Sequence, residues 1–338
     1  MPIDLGRFIE ISDAEMYKAL MDTTVVKFQN VSSLSIILHE SSSRSSQTHR
    51  DALLVNAYIA CASNLRMLNL FTRFADFNNL FPLTPSMLTS LEEVTLTFLG
   101  RHRLIANIEG VSTFFQAITS TLTTLNITFT FTEDEPSRLL ESFPCHGNKA
   151  VFPKLTTLSL FHSNHPALPS LKLLQFLDQH AYTLKHLSLQ HTELSSFASQ
   201  SLRDFDALPL PVLPHLETLN LHNGSICRCN YEFSSTRGLD LAWAYAQHSR
   251  STLKNLSLTN CSLTLYDLGR LLDRLGQESD GGGLNSLIVT VQALSPQMLD
   301  LLAEKLPQLE RLKIDFANLR SNDSADRGGR CPDVDERA

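Results

Sequence analysis

A six-residue pattern, Leu-x-x-Leu-x-Leu, recurs ten times along this chain of 338 residues and limits its possible folds more than any other feature. Val or Ile replaces Leu at a few of the pattern positions. The ten copies begin at Val31, Leu65, Leu91, Leu122, Leu155, Leu184, Leu216, Leu253, Leu284 and Leu309. Successive copies start 25 to 37 residues apart, which is the spacing of structural units that stack along one axis.

Each copy predicts a short strand, because the fourth and sixth positions share one face and the residue between them points to the other. In the copy that starts at Leu65, Leu68 and Leu70 would face inward and Asn69 outward. Strands repeated in this way stack into a parallel sheet with a continuous core. A core of this kind explains why the chain contains 60 Leu.

Several segments between the strands have the apolar spacing of a helix that returns along the other side of the sheet. Thr264 and Ser295-Pro296 are typical helix starts, and Gly276 is a typical helix end. The apolar positions of the predicted helices are Leu171, Leu174 and Leu177; Leu239, Leu241 and Ala244; Leu268, Leu271, Leu272 and Leu275; and Met298, Leu299, Leu302 and Leu306.

The repeats resemble leucine-rich repeats, whose consensus begins with the same six positions. The stretch from Thr252 to Thr264, Thr-Leu-Lys-Asn-Leu-Ser-Leu-Thr-Asn-Cys-Ser-Leu-Thr, resembles in particular the repeat region of fungal F-box proteins, as do the copies at Leu184 and Leu216. This resemblance covers residues 31–319. It implies an α/β leucine-rich repeat solenoid, with a curved parallel sheet on the concave side and helices on the convex side.

The resemblance also implies a function. In that family an amino-terminal F-box docks the chain onto an SCF-type ubiquitin ligase, and the repeats select the substrate. We therefore expect a protein-protein interaction module that recognises ubiquitination substrates. Residues 1–30 contain no F-box, so a ligase adaptor is an expected partner only if an F-box exists upstream. The alternative is a repeat-only scaffold or inhibitor with no ubiquitin link, which would bind a client protein.

The repeat pattern divides the chain into three parts. Residues 1–30 form a predicted N-terminal capping segment with a short helix, which begins at the capping box from Ser12 to Glu15. Residues 31–319 form the solenoid of about ten repeats. Residues 320–338 are rich in Asp, Arg and Gly and are predicted to be a disordered tail.

Charge and composition exclude several classes of partner. The chain carries 28 Lys and Arg against 35 Asp and Glu, a net charge of -7, which disfavours binding to nucleic acid or to an anionic membrane. The apolar stretches are too short to span a bilayer, and the N-terminus lacks a leader sequence. The six scattered Cys do not form a disulfide framework. These features predict a cytoplasmic or nuclear protein.

No motif in the sequence indicates catalysis or a cofactor, so we expect neither an enzyme nor a metal site. Cys227 and Cys229 lie near His222, but structural zinc normally needs four ligands, and a loop with free thiols is favoured. His162 and His191 occupy the same position in adjacent repeats. A polar ladder that satisfies backbone groups is favoured for them over a functional pair.

The outward positions of the predicted strands are the best candidates for a binding surface. Their central residues are mostly uncharged Ser, Thr or Asn, which suit hydrogen bonding to a peptide or protein. Phe71 and Phe161 could anchor a partner, since aromatic residues are enriched at interfaces. The candidate partner-binding residues are Met67, Asn69, Phe71, Thr95, Asn126, Ser159, Phe161, His186, Ser188, Gln190, Asn220, His222 and Ser257.

Overall fold

The computed structural model describes residues 31–37, 62–72, 88–98, 109–129, 152–162, 171–191, 211–223, 244–276 and 283–319. These residues contain one strand for each copy of the repeat. The strands are β1 (Ser33–Ile37), β2 (Met67–Thr72), β3 (Glu93–Phe98), β4 (Thr124–Phe129), β5 (Thr157–His162), β6 (His186–His191), β7 (Thr218–Asn223), β8 (Asn255–Leu263), β9 (Ser286–Leu294) and β10 (Arg311–Leu319).

The ten strands form one sheet in sequence order, and each pairs in parallel with the next strand along the chain. The repeat pattern sets the register: Leu158 of β5 lies beside Leu187 of β6, which lies beside Leu219 of β7. The fourth and sixth positions of the repeats from β1 to β9 are buried. We call this side of the sheet the Leu face.

At the amino-terminal ends of the strands, a single carbonyl oxygen accepts two backbone hydrogen bonds from the next repeat. The carbonyl oxygen of Lys185 accepts from the N–H groups of Glu217 at 2.7 Å and Thr218 at 3.0 Å. Carbonyls at the same position, from Ser32 to Asn285, bond the next repeat in the same way. This arrangement satisfies backbone groups where the chain turns into each strand. Consecutive repeats are therefore already bonded to each other at the residues that precede the paired strands.

Four helices of the described residues pack on the Leu face, since their buried side chains belong to the same core as those of the strands. They are α1 (Glu109–Ile118), α2 (Leu171–Gln179), α3 (Leu265–Gly276) and α4 (Pro296–Lys305). Residues 244–248 are also helical. None of the helices in this part of the chain is long and apolar enough to span a bilayer.

The helix starts follow the predicted capping chemistry. The backbone N–H of Asp267 donates to Thr264 Oγ1 at 3.1 Å, and the N–H of Met298 donates to Ser295 Oγ at 3.3 Å. Asp267 completes a reciprocal cap, because its carboxylate accepts from the backbone N–H of Thr264 at 3.1 Å. Both caps satisfy N–H groups that a helix leaves unpaired at its first turn.

The predicted fold class, an α/β leucine-rich repeat solenoid with a parallel sheet on one side and helices on the other, is confirmed. Helices α2, α3 and α4 lie where the apolar spacing placed them. Helix α1 was not predicted, although Val111, Phe114, Phe115 and Ile118 have the same spacing and are buried. The predicted capping helix in residues 1–30 and the predicted disorder of residues 320–338 lie outside the described residues.

His180 is an unexpected component of the core between the fifth and sixth repeats. It follows α2 and is 0% exposed. Its Nδ1–H donates to the carbonyl of Phe176 at 2.7 Å, and its Nε2 accepts from the backbone N–H of Phe152 at 3.1 Å. Only a neutral ring can make both bonds. Burial lowers the pKa of His180, and the bond to the Phe176 carbonyl opposes this effect.

We predict that His180→Ala lowers the free energy of unfolding by about 3 kcal/mol, because it leaves a cavity and an unpaired buried N–H at Phe152. Urea denaturation followed by circular dichroism measures this loss. The matched control is His215→Ala, since His215 is exposed. Equal denaturation midpoints for the two variants would contradict a structural role for His180.

The same histidine should make stability depend on pH. The pKa of folded His180 is below its ordinary value of 6.5, so the unfolded chain binds a proton first as the pH falls. Its contribution to stability is fully present above pH 6.5 and is lost as the pH falls toward the folded pKa, by up to about 1.4 kcal/mol per pH unit. We expect a shallower dependence for His180→Asn in urea denaturation series below pH 6.5. An unchanged slope would exclude this coupling.

Candidate functional site

The side of the sheet opposite the Leu face carries the third, fifth and seventh residues of each repeat, and no described helix packs on it. We call this surface the open face. Its fifth-position column runs through Ser35, Asn69, Thr95, Asn126, Ser159, Ser188, Asn220, Ser257, Ile288 and Lys313. All thirteen candidate residues predicted from the sequence are on this face.

The candidate residues all reach solvent, to different degrees. Met67 and Asn69 on β2 are exposed, and Met67 is 42% exposed. The other candidates, which include Phe71 and Phe161, are half-buried between neighbouring strands. Phe161 lies beside Gln190 in the register, whereas Phe71 lies three strands away on β2. The two aromatic rings are therefore separate features of the surface and do not form one patch.

Hydrogen bonds between side chains of different strands hold part of the open face in place. Asn126 Nδ2 donates to Thr95 Oγ1 at 3.2 Å, and Asn255 Nδ2 donates to Thr218 Oγ1 at 3.3 Å. Arg311 donates to Asn255 Oδ1 at 3.3 Å. These contacts fix the orientation of the amide groups and leave further donors and acceptors on the same side chains for another molecule.

The middle of the open face is uncharged. Its positions on β4 to β8 carry Ser, Thr, Asn, Gln, His and one Phe, and no Asp, Glu, Lys or Arg. Charge lies instead along the amino-terminal edge, where Glu217 is 3.6 Å from Lys185 and 3.3 Å from Lys254. The hydrogen bond from Lys254, with the charges of both lysines, lowers the pKa of Glu217. Exposed pairs of this kind contribute little to stability.

A polar cluster forms around His222 at the carboxyl end of β7. His222 Nδ1–H donates to Thr259 Oγ1 at 2.5 Å, and Asn260 Nδ2 donates to His222 Nε2 at 3.3 Å. The backbone N–H of Asn260 donates to Thr290 Oγ1 at 2.9 Å. In this network the ring is neutral, with its proton assigned to Nδ1. Burial lowers the pKa of His222.

An irregularity in β8 creates this cluster. The pairing of β8 with β9 shifts between Leu258 and Leu263. Within the shift, Asn260 adopts φ 60°, a left-handed conformation that Asn tolerates better than most residues. Sequence reasoning missed Thr259, Asn260 and Thr290 as members of the site, because the repeat pattern does not indicate where a strand bulges. An Asn just beyond the pattern was the one available signal.

The two alternative sites considered from the sequence have different outcomes. His162 and His191 are paired in the register of β5 and β6, as their repeat positions predicted. Cys227 and Cys229 lie outside the described residues. Within the described residues, no three His, Cys, Asp or Glu side chains are grouped closely enough to hold a metal ion.

No family model matches the chain, and no curated protein matches it. Among solved structures, the chain is similar to a crystal structure of the Rad7 and Elc1 complex from yeast. That similarity covers 94% of this chain and 76% of that chain, at 15% sequence identity and a TM-score of 0.45. The fold assignment therefore rests on the strand order, the register and the core described above.

We predict that His222 titrates below its ordinary pKa of 6.5, because burial penalises the charged ring. A series of proton–nitrogen NMR spectra recorded against pH measures the midpoint, and His222→Gln identifies the signal by its loss. A midpoint at or above 6.5 would contradict the packing of His222 against its neighbours.

Proposed function

We propose that this protein is a protein-binding module whose open face contacts the partner. The observation that carries the proposal is the strip of uncharged polar side chains on β4 to β8, which we call the neutral strip. It reaches solvent and is not covered by a described helix. In the unbound protein a surface this polar is hydrated, and on binding it can replace bound water with hydrogen bonds to a peptide or protein backbone. Folded repeats of this kind bind through such extended surfaces.

The electrostatics of the open face favour a protein partner over a nucleic acid. Phosphate binding needs clustered Lys and Arg, whereas the middle strands present none on this face and the chain has a net charge of -7. Met67 and Phe71 add two apolar side chains on β2, which β3 separates from the neutral strip. A partner that extends across the face to β2 would therefore find apolar anchors beyond the hydrogen-bonding groups.

The narrower proposal is substrate recognition similar to that of F-box/leucine-rich repeat subunits of SCF-type ubiquitin ligases. It is supported by the resemblance of the repeats to those of fungal F-box proteins, and it places the protein in the cytoplasm or nucleus. A ligase adaptor would then be a second partner, bound through an F-box upstream. A repeat-only scaffold or inhibitor with no ubiquitin link is the alternative. Neither proposal requires catalysis or a cofactor.

We predict that Ser188→Arg reduces recovery of the partner by about tenfold, equivalent to about 1.4 kcal/mol. Ser188 lies between Ser159 and Asn220 in the middle of the neutral strip, so a long cation there would block hydrogen bonding across three strands. The measurement is affinity capture of the full chain from native cells, followed by quantitative mass spectrometry. Circular dichroism verifies that each variant is folded.

The matched control is Gln175→Arg, which adds the same charge at an exposed position on α2, on the helical side. It should recover the same proteins as the unmodified chain. Equal loss in both variants, or none in either, would contradict binding through the open face. A ligase adaptor that persists with Ser188→Arg while other partners disappear would support the ubiquitin role. Its absence from every capture would support the scaffold or inhibitor.

A further inference from the structure

The two ends of the sheet differ in how well their inward side chains are covered. At the β1 end, Leu34 and Ile36 are 4% and 2% exposed. At the β10 end, Leu312 and Phe316 lie beside the buried Leu287 and Val291 in the register, yet they are 45% and 44% exposed. The Leu face therefore continues onto β10, where no other described strand or helix covers it.

The outer edge of β10 also presents backbone groups for pairing. The N–H of Arg311 donates to the carbonyl of Asn285 beside β9. In a parallel ladder alternate residues bond to the same neighbour, so Arg311, Lys313 and Asp315 face β9. The N–H and C=O groups of Leu312, Ile314 and Phe316 consequently point away from the sheet. Among the described strands, none pairs with this edge.

We propose that β10 pairs antiparallel with β10 of a second copy of this chain, centred on Ile314. A two-fold axis perpendicular to the sheet would keep both Leu faces on the same side and close the assembly as a dimer. Ile314 then lies opposite Ile314 of the partner subunit, and Leu312 lies opposite Phe316 of the partner subunit. These residues carry the outward backbone groups, so the added bonds follow the ordinary antiparallel pattern.

Charge favours this register over the two that are centred on the residues beside Ile314. Lys313 and Asp315 are exposed on the open face of β10, and Lys313 Nζ lies 3.3 Å from Asp315 Oδ2. With Ile314 at the centre, Lys313 of each copy lies opposite Asp315 of the other, which gives two complementary pairs. A shift that centres the pairing on Asp315 opposes two carboxylates. One centred on Lys313 opposes two ammonium groups, and the Arg311 that would then lie opposite Asp315 of the partner subunit donates instead to Asn255, on the inner side of β10. Like charges directly opposite each other destabilise strand pairing.

A second copy is favoured over head-to-tail stacking of the repeats. Stacking β10 onto β1 of another copy would require an uncovered Leu face at both ends, and the inward residues of β1 are buried. Self-pairing needs only the β10 edge, because a two-fold interface uses the same surface twice. It covers Leu312 and Phe316 in both copies and removes the exposed edge, which is otherwise a site for uncontrolled association.

Charge reversal in the full chain tests the register directly. We expect a dimer in sedimentation equilibrium across micromolar concentrations. Lys313→Asp and Asp315→Lys should each weaken dimerisation at least about tenfold, because each opposes like charges. The double variant Lys313→Asp with Asp315→Lys should restore it. The control is Lys305→Asp, which disrupts an ion pair with Asp273 between helices and should leave the dimer intact.

Three results would overturn the proposal. The first is a monomer at every concentration. The second is a dimer that the single reversals do not weaken or that the double variant does not restore. The third comes from hydrogen exchange of Leu312, Ile314 and Phe316, whose amides should become better protected as the protein concentration rises. Protection that is already complete at the lowest concentration would indicate that this chain covers its own edge. Circular dichroism of each variant verifies that loss of the dimer is not loss of the fold.

Discussion

The alternation of side chains along each strand is the constraint on which the rest of the structure depends. A single repeat cannot bury the Leu residues of its own strand, because the side of each Leu that faces the next repeat would remain exposed to solvent. The next repeat supplies the missing contact, as Leu158, Leu187 and Leu219 show. The carbonyl of Lys185, with its two bonds to the following repeat, ties the backbones together at the same point. Stability is therefore a property of neighbouring pairs of repeats.

This constraint separates the residues that fold the chain from those available for function. The inward columns at the fourth and sixth positions contain only Leu, Ile and Val, whereas the outward columns contact solvent and contain many residue types. The fold therefore does not require the residues of the neutral strip to be uncharged, since charged residues such as Glu93 and Lys313 occur at equivalent positions of other strands. That difference is why the open face, and not the core, carries information about the partner.

The sequence was sufficient for whatever depends on a repeated or local rule. The period located all ten strands and their inward faces, and Thr264 and Ser295 indicated two helix starts by their capping chemistry. Features that depend on one departure from the rule were not predictable. Asn260, at the irregularity of β8, donates to His222, and His180 is a polar residue buried in the core. In both cases the residue forms a hydrogen bond with a residue of another repeat, and spacing along the chain does not identify that partner.

A stack of repeats that does not close into a ring has two ends, and at each end no further repeat is present to cover the core. The inward residues of β1 are buried, whereas Leu312 and Phe316 of β10 are not. Of the two ends of the described sheet, only the β10 end therefore leaves inward apolar side chains exposed to solvent. Charged residues on an edge strand normally discourage pairing with other chains. On β10 Lys313 and Asp315 carry opposite charges, so they disfavour registers centred on either residue and complement the one centred on Ile314 between them. The same residues can therefore prevent general aggregation and select a single two-fold contact.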